Sequence, residues 1–164
     1  FWLVLLAIAA AALTAWLYVR RATPVHDGAL ALPGLKSAVT VERDAHGIPT
    51  IKATSLRDAM YALGVVHVQD RHWQLETHKR IGSGRLAEVF GEPALEQDKF
   101  LRALGVKRHA ERLWATTRGE ARDMIEAYTA GINDTIAQHV IARPPEMIIL
   151  GAKPEPWTPA DSIG

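Results

Sequence analysis

Cysteine is absent from the 164 residues, which excludes disulfides, thiol nucleophiles and cysteine-based zinc sites. A surplus of one charge is lacking as well: 19 Lys and Arg stand against 18 Asp and Glu, a formal net charge of +1. The two signs are interleaved along the chain, as on a solvated surface. Nucleic-acid binding draws on excess cations gathered on one face, so no nucleic-acid partner is expected. There is no internal repeat, no phosphate-cradling glycine loop and no G-x-S-x-G nucleophile turn. What remains, 48% of it hydrophobic, suits one domain large enough to bury a core.

The apolar content is unevenly distributed. Residues 1–19, "FWLVLLAIAAAALTAWLYV", hold no charge, and Thr14 and Tyr18 are their polar groups. Nineteen helical residues span about 28 Å, close to the roughly 30 Å of a bilayer core. Trp2, Trp16 and Tyr18 lie near the ends, where interfacial aromatics sit, and Arg20 and Arg21 stop the run. Residues 1–21 therefore read as a transmembrane signal-anchor or a signal peptide. The length favours an uncleaved anchor, because a signal peptide has a shorter apolar stretch and a small-residue cleavage site. An opening Phe in place of Met reads as a fragment at this end.

Residues 22–37, "ATPVHDGALALPGLKS", carry two Pro and two Gly and read as a linker. "VTVERD" (39–44) alternates as a half-buried strand does, and "AHGIPTIKA" completes a hairpin with Gly47 in the turn and Pro49 at an edge. "SLRD" at Ser55 resembles a capping box opening a helix over about 56–80, ended by the "GSG" of 82–84. A short turn "RLAEVFG", a helix around "ALEQDKFLRALG" and an amphipathic helix over 106–116 follow, the last with Leu113 and Trp114 on its apolar side. "TRGE" from Thr117 reads as a second capping box. The helix after it sets Met124, Ile125, Tyr128, Ile132 and Ile136 on one face. The tail holds five Pro, and "TPADS" looks like a helix start cut short, so this end too reads as a fragment whose tail packs on something beyond it.

The chemistry-rich stretch is "GVVHVQDRHWQLE", residues 64–76. A zinc helix needs ligands four apart, as in H-E-x-x-H, whereas His67 and His72 are five apart and diverge. His67, Asp70, Arg71 and Gln74 fall at i, i+3, i+4 and i+7, one polar stripe on a helix bordered by Ala62, Leu63, Val66 and Trp73. Buried charge needs partners, so the plain reading is a satisfied network with Asp70 holding an arginine or backbone donors; acid–base work is the sharper alternative. Ser83 in "GSG" reads as a helix end, and Ser37, Ser55 and Ser162 as linker and caps.

Taken in order, "LPGL", "VTVERDAHGIPTIKA", "DAMYALGVVHVQDRHWQLE", Arg80, "GRLAEVFG", Asp98, Arg102, "AYTAGIN" and "LGAKPEPWTPADS" resemble the N-terminal part of the penicillin acylase family. That family includes acylases of cephalosporins and acyl-homoserine lactones. The resemblance covers about 32–162. It implies an α+β chain, mainly helical with an N-terminal β-hairpin, as part of a four-layer αββα N-terminal-nucleophile hydrolase preceded by one transmembrane helix. Residues 38–164 would be the first part of the α-chain domain, truncated at its C-terminus.

The resemblance further implies a precursor that cuts itself into α and β chains. The new N-terminal residue of the β chain, usually Ser, is then the nucleophile and its own amine the base. It implies a small-molecule amide substrate, a periplasmic body beside the bacterial inner membrane, the enzyme's own β chain as partner, and the membrane met through residues 1–19. No cofactor belongs to this stretch, although calcium goes with many full-length members. No catalytic or metal-binding residue transfers here. The residues that match as a structural motif are His67, Gln69, Asp70, Arg71, Trp73, Gly84 and Arg85, with the expected task of holding the helix against a β-chain core. The other reading is a membrane-anchored helical interaction module without catalysis.

Overall fold

The computed structural model describes residues 1–23, 27–140 and 142–164. Part of the expected linker, residues 24–26, lies outside the described residues.

Helix α1 (Trp2–Ala22) has every residue up to Leu17 exposed, and among the described residues it alone is long and apolar enough to cross a membrane. β1 (Thr40–Arg43) and β2 (Pro49–Lys52) form the expected hairpin, an antiparallel pair with Val41 opposite Ile51 and Arg43 opposite Pro49. Its turn is fixed by the Asp44 carboxylate, which accepts from the amides of His46 at 2.8 Å and Ile48 at 2.9 Å. Pro49 stands at the strand's end, where its missing donor costs least.

α2 (Leu56–Ser83) starts at Ser55, whose hydroxyl accepts from the Asp58 amide at 3.1 Å. It runs three residues past the expected Arg80 and stops at Gly84, which adopts φ +62° in the left-handed region that favours glycine. Within it, Arg71 leaves helical geometry at φ −142° and ψ 28°, so the helix is broken in its middle. The 3.6-residue period carries no signal of that break.

"AEVF", expected as a turn, is a one-turn helix, α3 (Ala87–Phe90). α4 (Leu95–Leu104) and α5 (Val106–Thr116) follow the expected bounds closely. On α5 the buried residue is Ala110, whereas Leu113 is 46% exposed. Trp114 is half-buried with the Arg122 guanidinium 4.2 Å above its ring. The second expected capping box does not form. α6 (Gly119–Ala137) begins after Arg118 without a side-chain cap, because the Thr117 hydroxyl turns back to the Leu113 carbonyl at 2.8 Å.

α2 and α6 build the centre of the body. A Cβ at Gly64 would stand 2.4 Å from the Tyr128 carbonyl oxygen, and one at Gly131 2.0 Å from that of Tyr61. Glycine at both positions lets the two backbones touch. Around that crossing lie two apolar clusters: Val68, Ile132 and Trp157 with Leu75, Tyr128 and Ile136, and Tyr61, Val65 and Ala127 with Leu32, Leu35, Met60 and Ala130.

Part of the tail packs inside the chain, while Ile148, Ile149 and Leu150 stay exposed. Met147, in the short helix α7 (Pro145–Ile149), is fully buried. Trp157 is buried too, with its backbone held both ways by the Asn133 amide at 2.8 and 2.9 Å. The closing 3-10 turn, Pro159–Ser162, carries a complete capping box between Thr158 and Asp161.

Candidate functional site

The motif residues do not gather at one point. They fall into two groups along α2, one at the break and one at the C-terminal end.

At the break His67, Asp70 and Arg71 each find a polar partner within the chain. The His67 imidazole Nδ1 lies 2.8 Å from the Tyr128 hydroxyl of α6, and burial holds its pKa below the usual histidine value. Asp70 takes a bidentate pair from Arg43 of β1 at 2.8 and 2.9 Å, which pins the hairpin across α2. Arg71 donates to Gln74 at 2.8 Å. Trp73 meets the Phe90 ring of α3 at 6.2 Å. The expected stripe of His67, Asp70, Arg71 and Gln74 is therefore three separate attachments, and Arg43 and Tyr128 are partners that a one-helix reading cannot supply.

Gln69 stands on the wall between two clefts. One, of about 490 Å³, runs under the hairpin and is lined by Leu30, Leu32, Val39, Val41 and Val65. The other, of about 440 Å³, opens at the break between Asp70–Gln74, Ala22 and Pro144–Glu146. His72 borders this second cleft, 7% exposed, and neither ring nitrogen has a hydrogen-bond partner among the described residues. Burial, with the nearby Arg143 charge, pushes its pKa down to about 4, so the ring is neutral at physiological pH.

At the C-terminal end the charges form a clamp. Arg80 pairs with Glu76 at 2.8 Å and Glu88 at 2.7 Å. Arg85 donates to Glu88 at 2.7 and 2.8 Å and to Glu155 of the tail at 2.6 and 2.8 Å. Lys79 donates to the carbonyls of Glu155 at 3.1 Å and Pro156 at 3.0 Å. Arg85 lowers the Glu155 carboxyl to about 2 and holds that of Glu88 below its ordinary range. Three acids and three bases thus tie α2, α3 and the tail together; the i, i+4 spacing of Glu76 and Arg80 and the i, i+3 spacing of Arg85 and Glu88 are the local sequence signals of it. Gly84 completes this end: its carbonyl accepts from Arg102 at 2.7 Å, and a Cβ there would stand 2.8 Å from the Asp98 carbonyl. The Asp98 carboxylate caps α3 through the amides of Leu86 and Ala87, each at 2.8 Å.

Among the described residues no three His, Asp or Glu side chains converge. The buried carboxylates of Asp58 and Asp98 are taken by backbone amides, and the Lys36 amide holds Asp58 below the usual carboxylate range. Nucleophile and base pairing is equally missing: Ser83 donates to its own helix at Lys79, and no histidine is hydrogen-bonded to a serine among the described residues.

The body with this geometry is similar to known proteins along most of its length. The penicillin acylase 2 proenzyme of a Pseudomonas strain is 44% identical over 145 residues, covering 88% of this chain. The acyl-homoserine lactone acylase QuiP of Pseudomonas fluorescens is 36% identical over 139 residues, covering 85%. The chain spans only 19% and 17% of the length of these two relatives. The structure of a thermostable penicillin G acylase from Alcaligenes faecalis superposes with a TM-score of 0.68 at 27% identity, over 77% of this chain and 68% of that one. Residues 38–164 match the family model described as penicillin amidase, and the chain belongs to that family.

Proposed function

We propose that this chain is the N-terminal part of the α chain of a self-processing amidohydrolase. The observation that carries the proposal is the family match, which runs through the whole body from residue 38 to 164. In this reading the remaining roughly four-fifths of an enzyme of its relatives' length lies outside these residues. That remainder includes a β chain cut from the same precursor and completes the four-layer αββα fold. The β chain's first residue attacks the amide carbonyl and its own α-amine takes the proton. The substrate is a small N-acyl amide of the class that the relatives' names give, penicillins or acyl-homoserine lactones.

This chain's residues then make no bond to substrate. They hold the frame: the glycine crossing of α2 and α6, the Arg43–Asp70 pair under the hairpin, and the clamp on the tail. No step is assigned to calcium. Residues 1–21 anchor the body in the bacterial inner membrane on its periplasmic side.

The test is the reading frame beyond Gly164 and its product. The full-length protein is expected to yield two polypeptides, the second beginning with Ser or a similar nucleophile, and to release the carboxylic acid from an N-acyl amide panel. A reading frame that stops after Gly164, or an uncut full-length product without amidase activity, overturns the proposal.

A further inference from the structure

A flexible linker after residue 21 implies a body that swings free of its anchor. The structure ties the two together. The Tyr18 hydroxyl donates to the Arg143 carbonyl, and the Ala142 amide donates to the Arg21 carbonyl at 3.1 Å. Ala22 faces Pro144, Pro145 and Glu146 across the cleft at the α2 break. Tyrosine near the end of an apolar helix sits at the headgroup level, so these contacts set Arg143 where α1 leaves the apolar zone.

α7 begins two residues later. Its Met147 is fully buried, turned into the body, while Ile148, Ile149 and Leu150 are 49%, 81% and 37% exposed. Six residues of even extended chain place Ile149 within about 20 Å of Arg143. Arg20 and Arg21 end α1, Arg143 meets that end through Tyr18, and the apolar triplet follows Arg143 by five to seven residues, a pattern that suits an anionic headgroup layer.

We propose that residues 148–150 are a second membrane contact, taken by the phospholipid surface around the exit of α1, so that the body lies docked on the bilayer. The proposal rests on the reading of residues 1–21 as embedded in lipid. These 164 residues have no cysteine, so an introduced thiol is the one labelling site among them, any cysteine beyond residue 164 being first replaced by Ser. The full chain carrying an environment-sensitive fluorophore at Leu6→Cys, Ile149→Cys or Phe100→Cys is reconstituted into phosphatidylcholine–phosphatidylglycerol vesicles. Phe100, 62% exposed on α4, reports an apolar surface residue near the Gly84 end of α2.

The labels at 6 and 149 are expected to shift to the blue and to be quenched severalfold more by lipid-borne nitroxides than the label at 100, which aqueous iodide quenches. A label at Ile148→Cys repeats the reading at a second position. Iodide quenching at 149, with the label at 6 still in lipid, overturns the docking and leaves the anchor standing. Shielding of 149 from both quenchers also overturns it, because the patch is then covered by protein. Iodide access at 6 removes the anchor itself, and the docking with it.

Discussion

Before Arg71, α2 meets α6 backbone to backbone, through Gly64 and Gly131, with Tyr61, Val65 and Val68 packed around the crossing. After Arg71 the same helix is held by charge: Glu76, Lys79 and Arg80 are buried, and salt bridges and carbonyl contacts tie them to α3 and the tail. The first half depends on shape, in which a single added methyl has no room. The second depends on neutrality, in which a single deleted partner leaves a charge stranded. The break at Arg71 separates the two regimes, and the cleft with His72 opens at the joint.

The largest effect is expected from shape. Gly131→Ala puts a methyl 2.0 Å from a backbone oxygen, which no rotamer change relieves. Overpacking typically costs about 1–3 kcal/mol where side chains can move aside; here the contact is with backbone that cannot, and the cost is expected to exceed about 5 kcal/mol. In denaturant unfolding of the chain in mild detergent, the variant is expected to lose its cooperative transition. A midpoint near that of the parent would mean that the helices slide apart easily, and the contrast between the halves would fall.

Charge is expected to come second. Arg80→Met leaves Glu76, 4% exposed, without its counter-ion and is expected to cost about 4 kcal/mol. Adding Glu76→Leu restores most of that loss, because the stranded charge goes too. If the double variant is no more stable than Arg80→Met, the second half is held by packing rather than neutrality.

How far this division was legible in the sequence depends on range. Local signals carried well: the Ser55 cap, the hairpin around Gly47 and the bounds of α5 follow from a few neighbouring residues. The α6 face was legible in part: Ile132 is buried and Tyr128 and Ile136 pack against the core, but the other buried positions, Ala127, Thr129, Gly131 and Thr135, are small residues that an apolar period does not mark. The break at Arg71 was not, since the apolar spacing continues through it. Partners distant in sequence were invisible as well. Asp70 reads as needing an arginine, but nothing local picks Arg43, 27 residues away, and nothing local pairs Arg85 with Glu155, 70 residues away. The membership of the family was legible because it rests on an ordered set of short motifs, none of which depends on knowing the contacts.

At the joint, pH separates the two regimes further. His72 has a folded pKa of about 4 against an ordinary value near 6.5. The unfolded chain therefore binds more protons between those values, and stability falls as pH drops through that window. The full gap corresponds to about 3 kcal/mol. A stability profile measured from pH 7 to 4 is expected to decline, and His72→Leu to flatten it. A parallel decline in the variant would assign the acid sensitivity to another group.

The smallest effect belongs to the outer edge of the clamp. Glu155 has its carboxyl lowered to about 2 by the hydrogen bonds from Arg85, against an ordinary 4.5. A depressed carboxylate contributes stability above the unfolded value and loses it as pH falls through the folded one, so its window runs from about 4.5 down to 2. The side chains are 26% and 38% exposed, and solvent screening leaves about 1 kcal/mol for the pair. Glu155→Gln is thus expected to lower stability by that amount at pH 7, to leave the decline between pH 6.5 and 4.5 unchanged, and to remove part of the decline below 4.5. Raised salt is expected to shrink the difference between parent and variant, whereas the Arg80→Met loss, being buried, stays nearly constant. If salt weakened both equally, Arg80 and Arg85 would share one solvated network, and the boundary between buried and exposed halves of the clamp would have to move inward past Arg80.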